Sequence, residues 1–202
     1  MGNIFRSKMK KICDKIYDKI LNEAILDSEI IRDVEYAKRE DPRFDINYVK
    51  CEWSWSFLMI AIIRNRIELI EYFLKDPNIN VNYKNSFDVT ALYLTSYIVP
   101  ILKLFLNRQD LDVNVQHVGH TLLHVVCCHI RPSIIVVREL LLDARVDIMI
   151  RDEDGLSAQD TAIRLGYHGI TNMLKMVQYT PLLRIPNNML LHDIIRMIIE
   201  EY

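Results

Sequence analysis

The hydrophobic and polar positions of this chain recur with a regular long period. Short segments that open on Ser or Thr and continue with apolar residues start 34, 31 and 36 residues apart: SFLMIA (56–61), TALYLT (90–95), TLLHVV (121–126) and SAQDTA (157–162). A second marker, Asp or Asn followed by an aliphatic residue, is spaced by 35, 32 and 35 residues: DIN (45–47), NVN (80–82), DVN (112–114) and DIM (147–149). Two independent markers in one phase indicate an internal structural repeat.

Each repeat predicts two helices joined by a turn. The opening Ser or Thr suits a helix N-cap, because its oxygen accepts a hydrogen bond from an unpaired backbone N–H. A second helix is predicted where apolar residues fall at i, i+3 and i+4: IELIEYFLKD (67–76), SIIVVRELLLD (133–143) and GITNMLKMV (169–177). A unit of this size cannot bury its own apolar face, so neighbouring units are expected to stack.

This plan resembles the ankyrin repeat, whose signature is T-P-L-H-x-A followed by two helices and a turn. The segment 121–124 (TLLH) is the nearest match, and Gly119 and Gly155 occupy the turn-glycine position two residues before the Thr or Ser. Ser54 and Asp88 stand at that position in two other units. The resemblance implies an all-α solenoid of about five helix-turn-helix units.

The resemblance also implies three regions along the chain. Residues 1–19 form a basic amphipathic extension or cap, residues 20–178 the repeat domain, and residues 179–202 a C-terminal helix. The first unit is degenerate, and the segment 22–26 (NEAIL) is expected to open its first helix.

Composition and charge narrow the function classes. Residues 1–19 carry six basic and two acidic side chains, a net +4, so the rest of a chain of net charge −2 carries −6. A predominantly acidic chain is not expected to bind nucleic acid. Four cysteines, two of them adjacent, favour a reducing intracellular, cytoplasmic location. Abundant Ile, Asn, Lys and Tyr suggest a large DNA virus or intracellular parasite, in which case the location is a host cell's cytoplasm.

A cluster of His and Cys residues could carry chemistry. These residues lie within ten positions of one another: His120, His124, Cys127, Cys128 and His129. A zinc site would need several of them to face one point, but adjacent helix residues point about 100° apart. His124 holds the histidine position of the repeat, where its ring is expected to bond a neighbouring loop. Without a phosphate-binding loop or nucleophile motif, we expect no enzyme activity, no metal and no cofactor.

A protein-binding surface is the stronger expectation. The ankyrin resemblance implies that the loop tips and the outer edge of each first helix line a concave face. The residues at those offsets are Trp53, Trp55, Arg64, Phe87, Tyr97, His117, His120, His129, Glu153, Asp154 and Arg164. Trp, Tyr and Arg are the residue types that carry most binding energy at interfaces. The alternative for the two tryptophans is that they cover the weak first unit.

Each end of the chain allows two interpretations. The helix predicted at 8–26 either caps the first unit or lies on an anionic membrane through residues 1–20, and the cap is preferred. The apolar segment 187–202 is either a C-terminal cap or an adaptor element, since LLHDIIRMII is similar to the opening of a SOCS box and, more loosely, to the F-box-like tail of poxvirus ankyrin proteins.

The sequence therefore predicts a monomeric, non-enzymatic module that sequesters or scaffolds a partner protein of unknown identity. The alternative function is a substrate adaptor that links a bound partner to a ubiquitin ligase through the C-terminal helix.

Overall fold

The computed structural model describes residues 2–50, 54–129 and 132–179 and is predominantly helical. The prediction of a mainly helical fold is thereby confirmed for these residues. Ten helices occur within the described residues: α1 (Gly2–Leu21), α2 (Asp27–Glu40), α3 (Phe57–Ile63), α4 (Ile67–Lys75), α5 (Ala91–Leu94), α6 (Val99–Leu106), α7 (Leu122–Cys128), α8 (Ile134–Leu142), α9 (Ala158–Arg164) and α10 (His168–Tyr179). One two-residue hairpin pairs β1 (Val49–Lys50) with β2 (Trp55–Ser56). Contacts divide the chain into two compact units, Met1–Thr95 and Ser96–Tyr202.

In the first unit, α1 packs on α2 and α3, α2 and α3 each pack on α4, and α5 packs on α3. Their shared core is aromatic and aliphatic, and Phe57 and Phe73 are fully buried with ring centroids 6.2 Å apart. In the second unit, α8 packs on α6, α7 and α10, while α9 packs on α7 and α10. Helices α2, α4 and α10 each bury one side, as the i, i+3, i+4 pattern predicts, whereas six consecutive residues of α3, Phe57–Ile62, are buried.

The predicted caps and turns are largely confirmed. Side chains of Ser56, Thr121 and Ser157 each accept a hydrogen bond from the third residue of the helix that follows, whereas Thr90 makes no side-chain cap. All four turn-glycine positions adopt a left-handed backbone, with φ of 52° at Ser54, 61° at Asp88, 72° at Gly119 and 74° at Gly155. The two non-glycine residues therefore hold the same turn as the two glycines.

The returning loops carry a repeated hydrogen-bond bridge. Asn47 donates from Nδ2 to the Asn78 carbonyl and accepts from the Asn80 N–H, at 2.8 and 2.7 Å. In the second unit Asn114 does the same toward Arg145 and Asp147, at 2.8 Å in both bonds. The aliphatic residue between the polar positions is buried in all four loops: Ile46, Val81, Val113 and Ile148. Asn47 and Asn114 therefore each join their own loop to the loop about one period further along the chain, within one unit.

One predicted helix start is wrong. The segment 22–26 was expected to open a helix, but it is the turn between α1, which ends at Leu21, and α2, which begins at Asp27. The guanidinium of Arg66, more than forty residues away, binds the carbonyl oxygens of Ile20, Asn22 and Ile25. Because those carbonyls are directed at Arg66, they are not available to continue a helix.

Candidate functional site

The predicted binding residues fall at two opposite ends of the first helices. Those that precede a helix lie in the loop tips: Trp55, Phe87, His117, His120, Glu153 and Asp154. Those that follow a helix lie at its C-terminal end: Arg64, Tyr97, His129 and Arg164. A seven-residue helix such as α7 is about 10 Å long, so the structure separates the predicted surface into two patches. Trp53 lies outside the described residues, as does the whole segment 180–202.

Two loop tips in the second unit are packed together, and we call residues 116–120 and 151–155 the paired tip. His117 and His120 face each other across a two-residue turn, and their backbones exchange N–H to carbonyl bonds of 2.9 and 3.0 Å. Gln116 donates from Nε2 to the carbonyls of Gly119 and Arg151, at 2.7 and 3.3 Å. A Cβ on Gly119 would lie 3.0 Å from the backbone nitrogen of Glu153, so only glycine permits this approach.

Histidines brace the paired tip. His120 Nδ1 lies 2.6 Å from the Val118 carbonyl, and its Nε2 lies 3.6 Å from a carboxylate oxygen of Asp152. Backbone N–H groups of Leu156 and Asp154 bond that carboxylate and lower the pKa of Asp152. The paired tip is thus held from both of its loops by polar contacts.

His124 performs the bracing role that its repeat position predicts. Its Nε2 lies 3.2 Å from the Leu156 carbonyl, and its Nδ1 lies 2.7 Å from the Thr121 hydroxyl oxygen. Burial is the main cause that lowers the pKa of His124. A neutral ring that donates from Nε2 and accepts at Nδ1 satisfies both contacts, together with the Thr121 N–H at 3.3 Å.

Side chains on the outer surface of the paired tip are directed at solvent. Val118 is 63% exposed, and Glu153 and Asp154 are exposed on the other loop of the paired tip, where Glu153 lies against Gly119. Val118 has a φ of 49°, which is unfavourable for a β-branched residue. Sequence reasoning selected the flanking histidines and both carboxylates but missed Val118. The sequence did offer a signal for this turn, because Val118-Gly119 stands where a two-residue turn favours Asn-Gly.

Replacing Val118 with asparagine is expected to stabilise the chain by about 1 kcal/mol, because Asn tolerates the left-handed backbone better than valine does. Urea denaturation of the two proteins measures the difference. Val118→Thr is the control, since threonine also removes apolar surface but keeps the β-branch. Equal stabilisation by both changes would attribute the effect to lost apolar exposure rather than to backbone strain.

The second patch in this unit is aromatic. The rings of Tyr97 and His129 lie 4.8 Å apart between centroids, and Tyr97 is 51% exposed while His129 is exposed. The hydroxyl of Tyr167 donates to the His129 carbonyl at 2.8 Å. Tyr167 was not among the predicted residues, because its role depends on a partner 38 residues earlier. These contacts fix two exposed rings in place, which suits a contact surface.

The remaining predicted residues lie at separate places within each unit. Trp55 is half-buried in the hairpin with β1, Phe87 is 53% exposed at the next loop tip, and Arg64 lies 3.5 Å from Glu23 in an exposed ion pair. Arg164 is exposed at the end of α9. In the first unit, therefore, Arg64 and Trp55 stand at opposite ends of α3.

The two adjacent cysteines point in different directions. Cys127 is buried, which raises the pKa of its thiol to about 12, whereas Cys128 is exposed. Within the described ranges, no three His, Cys, Asp or Glu side chains lie close enough together to hold a metal ion. Over the same ranges, no helix is long and apolar enough to span a membrane.

Comparison with known proteins adds no assignment. No model of a known protein family matches the sequence, and a search of curated proteins finds no significant match.

Proposed function

We propose that this chain is a non-enzymatic protein-interaction module of the ankyrin-repeat type, which binds a partner protein through its loop tips. The repeat assignment is supported by the shared period of caps, left-handed turns and asparagine bridges. One such bridge in each unit joins a loop to the next loop along the chain, as stacked, nearest-neighbour repeats require. The monomer acts as a sequestering or scaffolding surface for an intracellular partner.

The paired tip is the observation that carries the proposal. Its backbone is braced by His120, Gln116 and the close approach of Gly119 to Glu153. A rigid backbone that exposes an apolar side chain and two carboxylates loses little conformational entropy when it binds. Val118 also keeps an unfavourable backbone geometry at the outermost point of the loop. Backbone strain of this kind is concentrated at functional positions in proteins.

The partner is expected to be complementary to this surface. Glu153 and Asp154 are exposed, whereas Arg151 is engaged with the Gly155 carbonyl and Asp160, at 2.6 and 3.2 Å. The surface is therefore acidic beside an apolar tip. A partner with a basic side chain next to an apolar pocket satisfies both features, because opposite charges guide association and the apolar contact adds affinity.

Affinity purification with mass spectrometry tests the proposal. The bait proteins are the wild type and a tip variant that combines Val118→Asn, Glu153→Gln and Asp154→Asn. The partner recovered with wild type is expected to bind the tip variant at least about 30-fold more weakly, equivalent to about 2 kcal/mol. The control is Ile135→Ala, which removes an exposed side chain from α8.

The possible outcomes distinguish a wrong binding site from a wrong function. Equal binding by wild type and tip variant, with loss in a Tyr97→Ala and His129→Ala variant, would move the site to the aromatic patch. Recovery of no specific partner by wild type, or turnover of a small-molecule substrate by the purified chain, would contradict the function itself.

A further inference from the structure

Helix α1 has two faces of opposite character. Its apolar face is buried against α2 and α3 through these residues: Cys13, Ile16, Tyr17 and Ile20. An amphipathic helix that inserts into a membrane needs that face free. Insertion through these buried residues is therefore incompatible with the folded first unit, and this part of the helix acts as the cap that the sequence favoured.

The opposite face of α1 is a line of lysines. Lys8, Lys11 and Lys15 follow an i, i+3, i+7 spacing, which places them within about 60° of one another around the helix. They extend for about 10 Å along its axis. All three side chains are exposed, and none forms an ion pair within the part of the chain that the structure describes. We call these three residues the lysine face.

Most acidic groups around the lysine face already have partners. Asp14 accepts a bond of 2.6 Å from the Tyr48 hydroxyl, and Asp18 forms an ion pair of 2.6 Å with Lys50. Asp41, whose pKa Lys8 helps to lower, is held by Arg43. Glu29 and Asp33 both pair with Lys19 at 2.6 Å. Tyr48 is neutral and Lys19 offsets only one of its two carboxylates, but the three lysines of the lysine face still leave a net positive charge on the exposed side of α1.

The chemistry of this face favours an anionic lipid surface as its partner. Lysine ammonium groups are hydrated point charges that attract phosphate and carboxylate headgroups without needing a fixed geometry. Non-specific single-stranded nucleic-acid sites combine positive charge with aromatic stacking, but the aromatic ring of α1 outside residues 2–7, Tyr17, is buried. The lysine face contains no arginine, the residue whose two-pronged binding of carboxylates would favour a specific acidic peptide.

We propose that the lysine face adsorbs the folded chain to an anionic lipid bilayer by electrostatic attraction alone. The apolar face of α1 stays packed on the first unit throughout. Adsorption of this type is reversible and is screened by salt, because the charges remain in water. The lysine face belongs to the first unit and the paired tip to the second.

Sedimentation with lipid vesicles tests the inference on the full-length chain. One set of vesicles is pure phosphatidylcholine, and the other contains about a third phosphatidylserine. At low salt the chain is expected to bind only the anionic set, and the triple variant Lys8→Gln, Lys11→Gln and Lys15→Gln to bind about 100-fold more weakly. That factor follows from about fivefold for each lysine near the surface.

The matched control carries Lys75→Gln, Lys84→Gln and Lys175→Gln, which changes the net charge equally from exposed positions elsewhere. It is expected to keep wild-type binding, and circular dichroism verifies that both triple variants are folded. Equal loss in both variants, binding that persists at high salt, or failure of wild type to bind anionic vesicles would overturn the inference. Tighter binding to duplex DNA or to a polyglutamate peptide than to the vesicles would also overturn it.

Discussion

Replacing Arg66 with leucine is expected to lower the free energy of unfolding by about 3–5 kcal/mol, the cost of removing one partner from a buried ion pair. The Arg66 side chain is only 8% exposed, and its guanidinium lies 2.6 Å from the carboxylate of Asp27. The same group donates to the carbonyls of Ile20 and Ile25 at 2.8 and 2.9 Å, with further bonds at the end of α1.

The physical reason is the number of groups that lose their partner together. The last carbonyls of a helix find no backbone N–H within the helix to bond, so they need a donor from elsewhere. Leucine leaves these carbonyls without that donor. The Asp27 carboxylate loses its ion pair as well and keeps the Leu69 N–H, at 3.3 Å. The turn between α1 and α2 is expected to loosen first, because Arg66 holds it to α4.

Urea denaturation followed by circular dichroism measures this loss. The control is Arg64→Leu, two residues earlier, because its ion pair with Glu23 joins side chains that are 38% and 80% exposed. Such surface pairs contribute at most about 1 kcal/mol. A double variant, Arg66→Leu with Asp27→Leu, is expected to recover part of the loss by removing the unpaired carboxylate. Similar effects of Arg64→Leu and Arg66→Leu would show that the buried network contributes little.

Truncating Leu141 to alanine is expected to cost about 2–5 kcal/mol of unfolding free energy, through lost apolar burial and the cavity that remains. Leu141 is fully buried in α8, which packs on α6, α7 and α10 in the second unit. Because α8 is held by three neighbouring helices, local relaxation cannot easily fill the space left by the leucine. Leu140 is buried to nearly the same extent, and the equivalent truncation there is expected to give a similar loss.

Thermal and urea denaturation of Leu141→Ala and Leu142→Ala provide the comparison. Leu142 is the next residue of α8 and is only half-buried, so its truncation is expected to cost about 1 kcal/mol. Both changes have the same chemistry and the same helix propensity difference. Equal losses would indicate that α8 is held by backbone and helix propensity rather than by the buried stripe that packs on its neighbours.

The sequence predicted those features of the fold that depend on residues close together in the chain. The caps at Ser56, Thr121 and Ser157 and the left-handed turns depend on contacts within a few residues. The amphipathic helices follow from spacing within one element, and α4, α8 and α10 fall where the apolar pattern predicts them. The ankyrin resemblance led us to expect that His124 bonds a neighbouring loop, and its Nε2 lies 3.2 Å from the Leu156 carbonyl.

Features that depend on distant partners were decided by tertiary structure. The turn at 22–26 forms because Arg66 binds the end of α1 across more than forty residues. The predicted binding residues separate into loop tips and helix ends because a helix of about 10 Å stands between them. Val118 and Tyr167 acquire their roles from the loops and rings that the fold places beside them. The sequence alone determined which local elements form, whereas contacts between residues far apart in the chain determined which side chains meet and which face solvent.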